Sequence, residues 1–230
     1  MNQIKRLLAL EAKQKLSDHL FDRLLSAGEE IMLPTYAAMI DAGEYDPNIY
    51  IVKKGMIRGT YLDKNLEKTA GFALPGTLLI SFHCYYGEEP SYYRYEACCP
   101  TVIIRIPKKV FDDMLAESHE FALWVMSAHQ NSLYYTEFKN QLLSGDSKSR
   151  LLQLIQRMEG IIPRHEDMVA DMAIYPSDTT SHDDRVKNEL HTRWKEIFKL
   201  VPSKIIASYL GITQQHFSKI KREILTDSRK

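Results

Sequence analysis

The run Pro202-Ser203-Lys204-Ile205-Ile206-Ala207-Ser208-Tyr209-Leu210-Gly211-Ile212-Thr213-Gln214-Gln215-His216-Phe217-Ser218-Lys219-Ile220 carries amide, hydroxyl and ammonium groups at helical spacing beside a small-residue turn. Two short helices crossing steeply need a small residue midway along the first, and Ala207 stands there. The turn between them needs a residue that accepts positive φ, which Gly211 supplies. The shared core needs apolar groups on both sides, and Ile206, Leu210, Ile212, Phe217 and Ile220 provide them. Pro202 suits a first helical turn and Thr213 the N-cap of the second helix. With Phe217, Ile220 and Ile224 turned inward, Gln214, Gln215, Ser218, Lys219 and Arg222 face outward. A Gln amide pairs with adenine through two hydrogen bonds, and a Lys ammonium donates to guanine. Base reading is therefore expected of Gln214, Gln215, Ser218 and Lys219. Phosphate contact, which positions without reading sequence, is expected of Ser203, Lys204, Thr213, Lys221 and Arg222. A helical hairpin with no nucleic-acid role would share the same packing residues and a polar outer face.

Charge distribution agrees with a polyanionic partner. The chain has 30 Lys and Arg against 30 Asp and Glu. From Arg185 onward, however, eleven basic residues meet four acidic ones, a surplus of about +7 balanced by an acidic body. The composition, 44% hydrophobic and 26% charged, is that of a globular protein of one or two domains. No run of about 18 uncharged apolar residues occurs, so no membrane-spanning helix is expected, and the N-terminal residues do not read as a secretory signal. Cys84 and the adjacent Cys98 and Cys99 form no disulfide framework, so a reducing, cytoplasmic location is expected. His165, Glu166, Asp171, His182 and Asp183 match no metal-ligand spacing, so neither a metal nor a resident cofactor is expected. The Gly-rich phosphate loop, the Gly-x-Ser-x-Gly elbow and the His-Glu-x-x-His pair are all missing, which argues against an enzyme.

The elements that must position the motif follow from periodicity. Residues 4–27 repeat Ile4, Leu7, Leu8, Leu16, Leu20, Leu24 and Leu25 at helical spacing before Gly28. From Glu29 to Pro107 short apolar runs (Ile31–Leu33, Ile49–Val52, Met56–Leu62, Gly71–Leu74, Leu78–Phe82 and Val102–Ile106) alternate with turn signals such as Lys54-Gly55 and Pro75-Gly76. That pattern predicts an antiparallel barrel or sandwich. Residues 108–143 return to helix, with an apolar stripe through Phe121, Val125, Ala128, Ser132 and Tyr135 too wide for one face. Such a helix packs on its own domain and on a second copy. Gly145 to Ser149 reads as a hinge before a short helix through Met158. Residues 160–184 read as an acidic loop, and helix resumes with Val186, Leu190, Trp194, Ile197 and Phe198.

Taken together, these elements resemble the Crp–Fnr superfamily of bacterial regulators, in a Bacteroidetes-like form. The segment Ala42-Gly43-Glu44-Tyr45-Asp46-Pro47-Asn48-Ile49-Tyr50-Ile51-Val52-Lys53-Lys54-Gly55-Met56-Ile57-Arg58 is similar to that family's early β-roll strands, and Val201 to Ile220 to its DNA-binding motif. The resemblance implies an α+β fold: an N-terminal jelly-roll-like, cyclic-nucleotide-binding-like β-barrel over 1–107, a dimerisation helix over 108–145, and a helix-turn-helix domain over 146–230 with an insertion at about 160–195. The resemblance also implies a winged-helix-type domain, but only Lys221 to Lys230 follow Ile220, so a β-wing beyond the recognition helix is not expected. Cyclic-AMP binders of the family carry Gly-Glu-Leu and, about ten residues on, Arg-Ser/Thr-Ala. Here the matching stretches read Gly76-Thr77-Leu78 and Ser91-Tyr92-Tyr93, with Arg94 displaced, so the expected effector is not cyclic AMP.

Phe82, His83, Tyr85, Tyr92, Tyr93 and Arg94 occupy that region instead. Two readings stand: a pocket for a planar or apolar effector, with haem on His83 as one form, or a filled, ligand-free barrel. The partners expected are double-stranded DNA, a second copy of the chain, RNA polymerase and an unidentified small effector, with no membrane. The competing expectation is a signalling module that senses a ligand or protein without binding DNA.

Overall fold

The computed structural model describes residues 3–12, 14–159 and 201–227. The chain divides into two compact units, Met1–Leu133 and Tyr134–Lys230. The proposed insertion, the five metal-ligand candidates and the apolar repeat from Val186 to Phe198 lie outside the described residues.

The first unit opens with α1 (Gln3–Glu11) and α2 (Asp18–Ser26), where one helix was expected. The break has a local cause: Ser17 is extended at φ −64 and ψ 150, the backbone that starts a new helix. Its N–H and hydroxyl both donate to the Glu120 carboxylate. Eight strands follow: β1 (Glu29–Leu33), β2 (Ala38–Ile40), β3 (Ile49–Lys54), β4 (Ile57–Asp63), β5 (Leu66–Ala73), β6 (Leu78–Ile80), β7 (Arg94–Ala97) and β8 (Thr101–Ile106). A short helix α3 (Phe82–Tyr86) separates β6 from β7. Periodicity missed β2, β7 and the first half of β5. The turn joining β4 to β5 runs through Lys64 and Asn65, both at positive φ, and carries no glycine to announce it.

The strands form two antiparallel four-stranded sheets, ordered β1-β8-β3-β6 and β2-β7-β4-β5. The expected barrel is therefore corrected to two open sheets. β1 and β6 edge one, β2 and β5 the other, and the three-residue strands β2 and β6 are too short to carry a ladder around a corner. β3 explains the architecture. All of Ile49, Tyr50, Ile51 and Val52 are buried because both faces of its sheet are covered. Ile49 and Ile51, opposite Ile106 and Ile104, join a core with Leu8, Phe21, Leu24, Phe111, Phe121 and Trp124 of the helices. Tyr50 and Val52 belong with Leu79 and Ile103 to a second core, completed by Ile40, Ile57, Ala73 and Ala97 of the other sheet. The period-2 alternation of side chains divides one strand between two cores.

The expected helix over 108–143 is two helices, α4 (Lys108–Glu117) and α5 (His119–Ser144). Ser118 between them is extended, and its hydroxyl oxygen accepts the Phe121 N–H at 3.1 Å, capping α5. Phe121, Val125 and Ala128, expected to reach a partner, are instead buried in their own unit's core. The apolar side chains that α5 exposes are Leu123, Met126 and Leu133, at 38%, 66% and 64%. No described helix is long and apolar enough to cross a membrane.

The second unit holds the end of α5, then α6 (Ser147–Glu159), α7 (Ser203–Tyr209) and α8 (Gln214–Asp227). Asp146 caps α6 by accepting the N–H groups of Lys148 and Ser149 and the Ser149 hydroxyl. The break between α5 and α6, expected over Gly145 to Ser149, is thus confined to Gly145 and Asp146.

Candidate nucleic-acid interface

Pro202 precedes α7 at φ −56 and ψ 140, and its carbonyl accepts the N–H groups of Ile205 and Ile206. Ile205, Ile206, Ala207 and Tyr209 are buried, which leaves Lys204 as the exposed residue of the helix's first turn. At the other end the Ile212 N–H donates to the Ala207 carbonyl at 3.0 Å and the Gly211 N–H to the Ser208 carbonyl at 3.2 Å. This pair of bonds is a Schellman motif, which requires a left-handed residue, and Gly211 has φ +68. A Cβ there would also meet Arg150 Nη1 at 3.3 Å and Leu143 Cδ2 at 3.5 Å. The Leu210 carbonyl, beyond the reach of those two bonds, accepts a hydrogen bond from Arg150 Nη1 at 2.9 Å.

The turn delivers Thr213 to the start of α8, where its hydroxyl oxygen accepts the His216 N–H at 3.2 Å. Phe217 and Ile220 then point into the unit and are 2% and 3% exposed. Gln214, Gln215, Ser218 and Lys219 are all exposed, as are Thr213, Lys221 and Arg222, while Ser203 is half-buried. The Ser218 hydroxyl donates back to the Gln214 carbonyl at 3.0 Å. Every residue of the sequence motif is thus brought to one helical pair, except that Ile212 is only half-buried. A helix with its packing face occupied and a contiguous polar face at its N-terminal half has the shape and donors that a major groove accepts.

The six residues gathered as an effector pocket separate in the structure. Phe82 and Tyr86, one turn apart on α3, stack at 6.0 Å with an interplanar angle of 13° and meet the His129 ring of α5 at 5.3 and 6.3 Å. His83, Tyr92 and Tyr93 group instead with Tyr61 of β4, Tyr61 and Tyr92 stacking at 6.1 Å. Tyr85 turns into the core; burial, followed by its hydrogen bond to Asp112, raises its phenol far above the ordinary range. Arg94 is bound to Asp41 and Glu96. Ser81 and Ser91, ten residues apart and both buried, meet at 3.3 Å between their hydroxyls. Gly76 and Thr77 lie in the turn ahead of β6, with Gly76 at φ +92. The space between the sheets is filled by the second core. Two surface cavities are present, one of about 490 Å³ beside α2, Glu30 and Lys53 and one of about 260 Å³ at the margin of that core, lined by Ile31, Leu33, Met39, Tyr50 and Arg105. Among the described residues no group of three or more His, Cys, Asp or Glu is placed to hold a metal ion.

Two further features escaped the sequence reading. The exposed apolar side chains of α5, Leu123, Met126 and Leu133, share one face with the exposed Gln130 at a three-four-three spacing, hidden by the richer buried stripe beside it. Arg58 and Glu96 form a buried ion pair that no local pattern marks, because they are 38 residues apart.

No family model and no curated protein sequence matches the chain. Solved structures do. FixK2 from Bradyrhizobium japonicum is similar over 87% of this chain and 86% of that one, with 15% identity and a TM-score of 0.62. The c-di-GMP-responsive global regulator CLP of Xanthomonas campestris is similar over 92% and 93%, with 10% identity and a TM-score of 0.58. A CooA mutant from Carboxydothermus hydrogenoformans is similar over 96% and 84%, with 15% identity and a TM-score of 0.56. These structures are regulators of the Crp–Fnr type with cyclic-nucleotide-binding folds, and this chain shares their fold.

Proposed function

We propose that this chain is a sequence-specific, double-strand-DNA-binding transcription regulator that acts as a homodimer and does not respond to cyclic AMP. The observation that carries the reading is the α7–turn–α8 geometry: Gly211 closes a Schellman turn, Phe217 and Ile220 are buried, and Gln214, Gln215, Ser218 and Lys219 stand exposed together. In this reading those four read base edges in the major groove. Ser203, Lys204, Thr213, Lys221 and Arg222 meet phosphates. The regulators that share the fold support the same class of function, and no part of the reading calls for catalysis.

The second copy docks on the α5 face that carries Leu123, Met126 and Leu133. These three lie three and seven residues apart on one face of a long helix, and an exposed apolar face of that kind is what two-fold helix pairing buries. The sensor-like unit is read as filled rather than hollow. Its inter-sheet core is apolar, and Arg94, the guanidinium displaced from the cassette, is already held by two carboxylates. Ser91, at the cassette's arginine position, is neutral and offers nothing to neutralise a cyclic phosphate. The three free thiols suit a reducing cytoplasm.

The test is duplex binding by fluorescence anisotropy across a salt series, followed by selection of bound sequences from a random pool. Binding that weakens steeply with salt, and a selected pseudo-palindrome with half-sites about one helical turn apart, are expected. A protein that binds no duplex at low salt is a signalling module rather than a DNA-binding regulator.

A further inference from the structure

We infer that Arg150 is a positioning residue of the helix-turn-helix: its guanidinium ties the turn that starts the recognition helix to the bend between α5 and α6. Nε donates to the Gly145 carbonyl at 2.8 Å, and Nη1 donates to the Leu210 carbonyl at 2.9 Å. Both acceptors stand at helix C-termini. Gly145 follows the last residue of α5, and Leu210 caps α7. The last carbonyls of a helix lack intrahelical partners and carry the negative end of its dipole. At α7 the Schellman bonds satisfy Ala207 and Ser208, and Arg150 serves the Leu210 carbonyl beyond them. One cation thereby joins two helix ends in the same unit.

Arginine suits the task because its donors diverge from a rigid plane, whereas a lysine ammonium is a single point charge on a flexible stem. Arg150 is itself fixed, since it lies in the first turn of α6 and its N–H donates to the Asp146 carbonyl at 2.9 Å. Leu151 and Leu154, on the same helix, are buried. The arrangement leaves no slack at the turn, because Nη1 stands only 3.3 Å from where a Cβ on Gly211 would be. Three residues after Gly211, α8 begins with Gln214. The clamp therefore orients the recognition helix with respect to the bend without touching the nucleic acid. It rests on the DNA-binding reading only for its effect on affinity.

Two variants test it in the full-length chain, Arg150→Gln and Arg150→Lys, each measured by amide hydrogen exchange and by duplex binding across a salt series. Loss of the clamp should speed exchange of the Gly211 and Ile212 amides about tenfold or more, while protection of Ile49 to Val52 in β3 stays at the wild-type level. Duplex affinity should fall about tenfold at every salt concentration, with the slope against salt unchanged because no phosphate contact is lost. Arg150→Lys keeps the charge and the stem, so it should fold and still show faster turn exchange. Unchanged exchange at Gly211 in both variants overturns the clamp. A salt slope smaller by about one unit overturns it too, since Arg150 would then be a phosphate contact. Faster exchange with unaltered affinity shows a turn that does not position the helix, which also defeats the inference. If the wild type binds no duplex, the DNA-binding reading fails, and exchange at Gly211 still decides the clamp.

Discussion

Arg58 and Glu96 face each other across β4 and β7, each only 5% exposed, with the guanidinium Nε 2.8 Å from the carboxylate Oε1. Arg94 Nε donates to the other carboxylate oxygen at 2.9 Å, and Arg58 reaches on to Glu67 and Thr69 of β5. Three adjacent strands are thus tied by one buried charge network. Removing a single partner leaves a buried charge, so Glu96→Ala should cost about 3 kcal/mol, whereas Arg58→Met with Glu96→Leu should come close to neutral. Burial alone would raise the Glu96 carboxyl, but the hydrogen bonds from Arg94 and Arg58 outweigh it and hold the group below its ordinary 4.5. Its contribution is present above pH 4.5 and is lost as pH falls through the lower folded value. Denaturant melts of both variants from pH 7 to pH 3 check both statements.

The α5 face separates assembly from folding. Met126→Glu and Leu133→Glu alter exposed positions and should give folded monomers in sedimentation at micromolar concentration. Val125→Glu places a charge in the core beside Phe121 and Trp124, and should unfold the first unit instead. A wild type that sediments as a monomer, or a dimer that survives both exposed changes, removes α5 as the dimer surface.

Readout of DNA should divide along the helix pair. Gln215→Ala should weaken binding by roughly 1–3 kcal/mol and relax preference at one position of each half-site. Lys204→Ala, at the exposed first turn of α7, should weaken all sequences alike and shrink the salt slope by about one unit. Parallel selections with both variants decide it. A wild-type preference retained by Gln215→Ala and changed by Lys204→Ala would place α8 wrongly in the groove.

Calorimetric titration with cyclic AMP should show no heat of binding. Thr77 and Ser91, which stand at the cassette's acid and arginine positions, carry neutral hydroxyls and cannot supply the carboxylate for a ribose and the guanidinium for a cyclic phosphate. A micromolar dissociation constant would mean that Arg94 leaves Glu96 and Asp41 to serve the phosphate.

His129 should make the first unit weaken in mild acid. Burial pushes its imidazole below the ordinary 6.5, and its Nε2 is buried without a hydrogen-bond partner against the rings of Phe82 and Tyr86. The folded state therefore holds it neutral while the unfolded chain binds a proton, so stability falls as pH drops through 6.5 and levels below the folded value. Thermal melts between pH 7.5 and pH 5 should show the fall in the wild type and a smaller one in His129→Phe. An identical pH profile in the two proteins would assign the effect to other groups.

The local parts of this protein were decided by the sequence itself. Gly211 needs positive φ, Thr213 has a hydroxyl one residue before a helix, and Phe217 and Ile220 are three apart; each requirement is met by neighbours in the chain. The buried strand at Ile49–Val52 and the Pro75-Gly76 turn were legible for the same reason. What tertiary structure decided depends on which distant elements meet. Phe121, Val125 and Ala128 were recognisably apolar, but only the packing of α5 on Phe21, Phe111 and their neighbours made them core and left Leu123, Met126 and Leu133 outside. The aromatic set between Phe82 and Arg94 looked like one pocket because its members are close in sequence. The turn of α3 sends Phe82 to His129, Tyr85 into the core and His83 to Tyr92 and Tyr93, while Arg94 is held by Asp41 and Glu96. Arg58 with Glu96, and Arg150 with Leu210, are separated by 38 and 60 residues. Periodicity reports which way a side chain faces within its own element, and pairings over such distances exist only once the chain has folded.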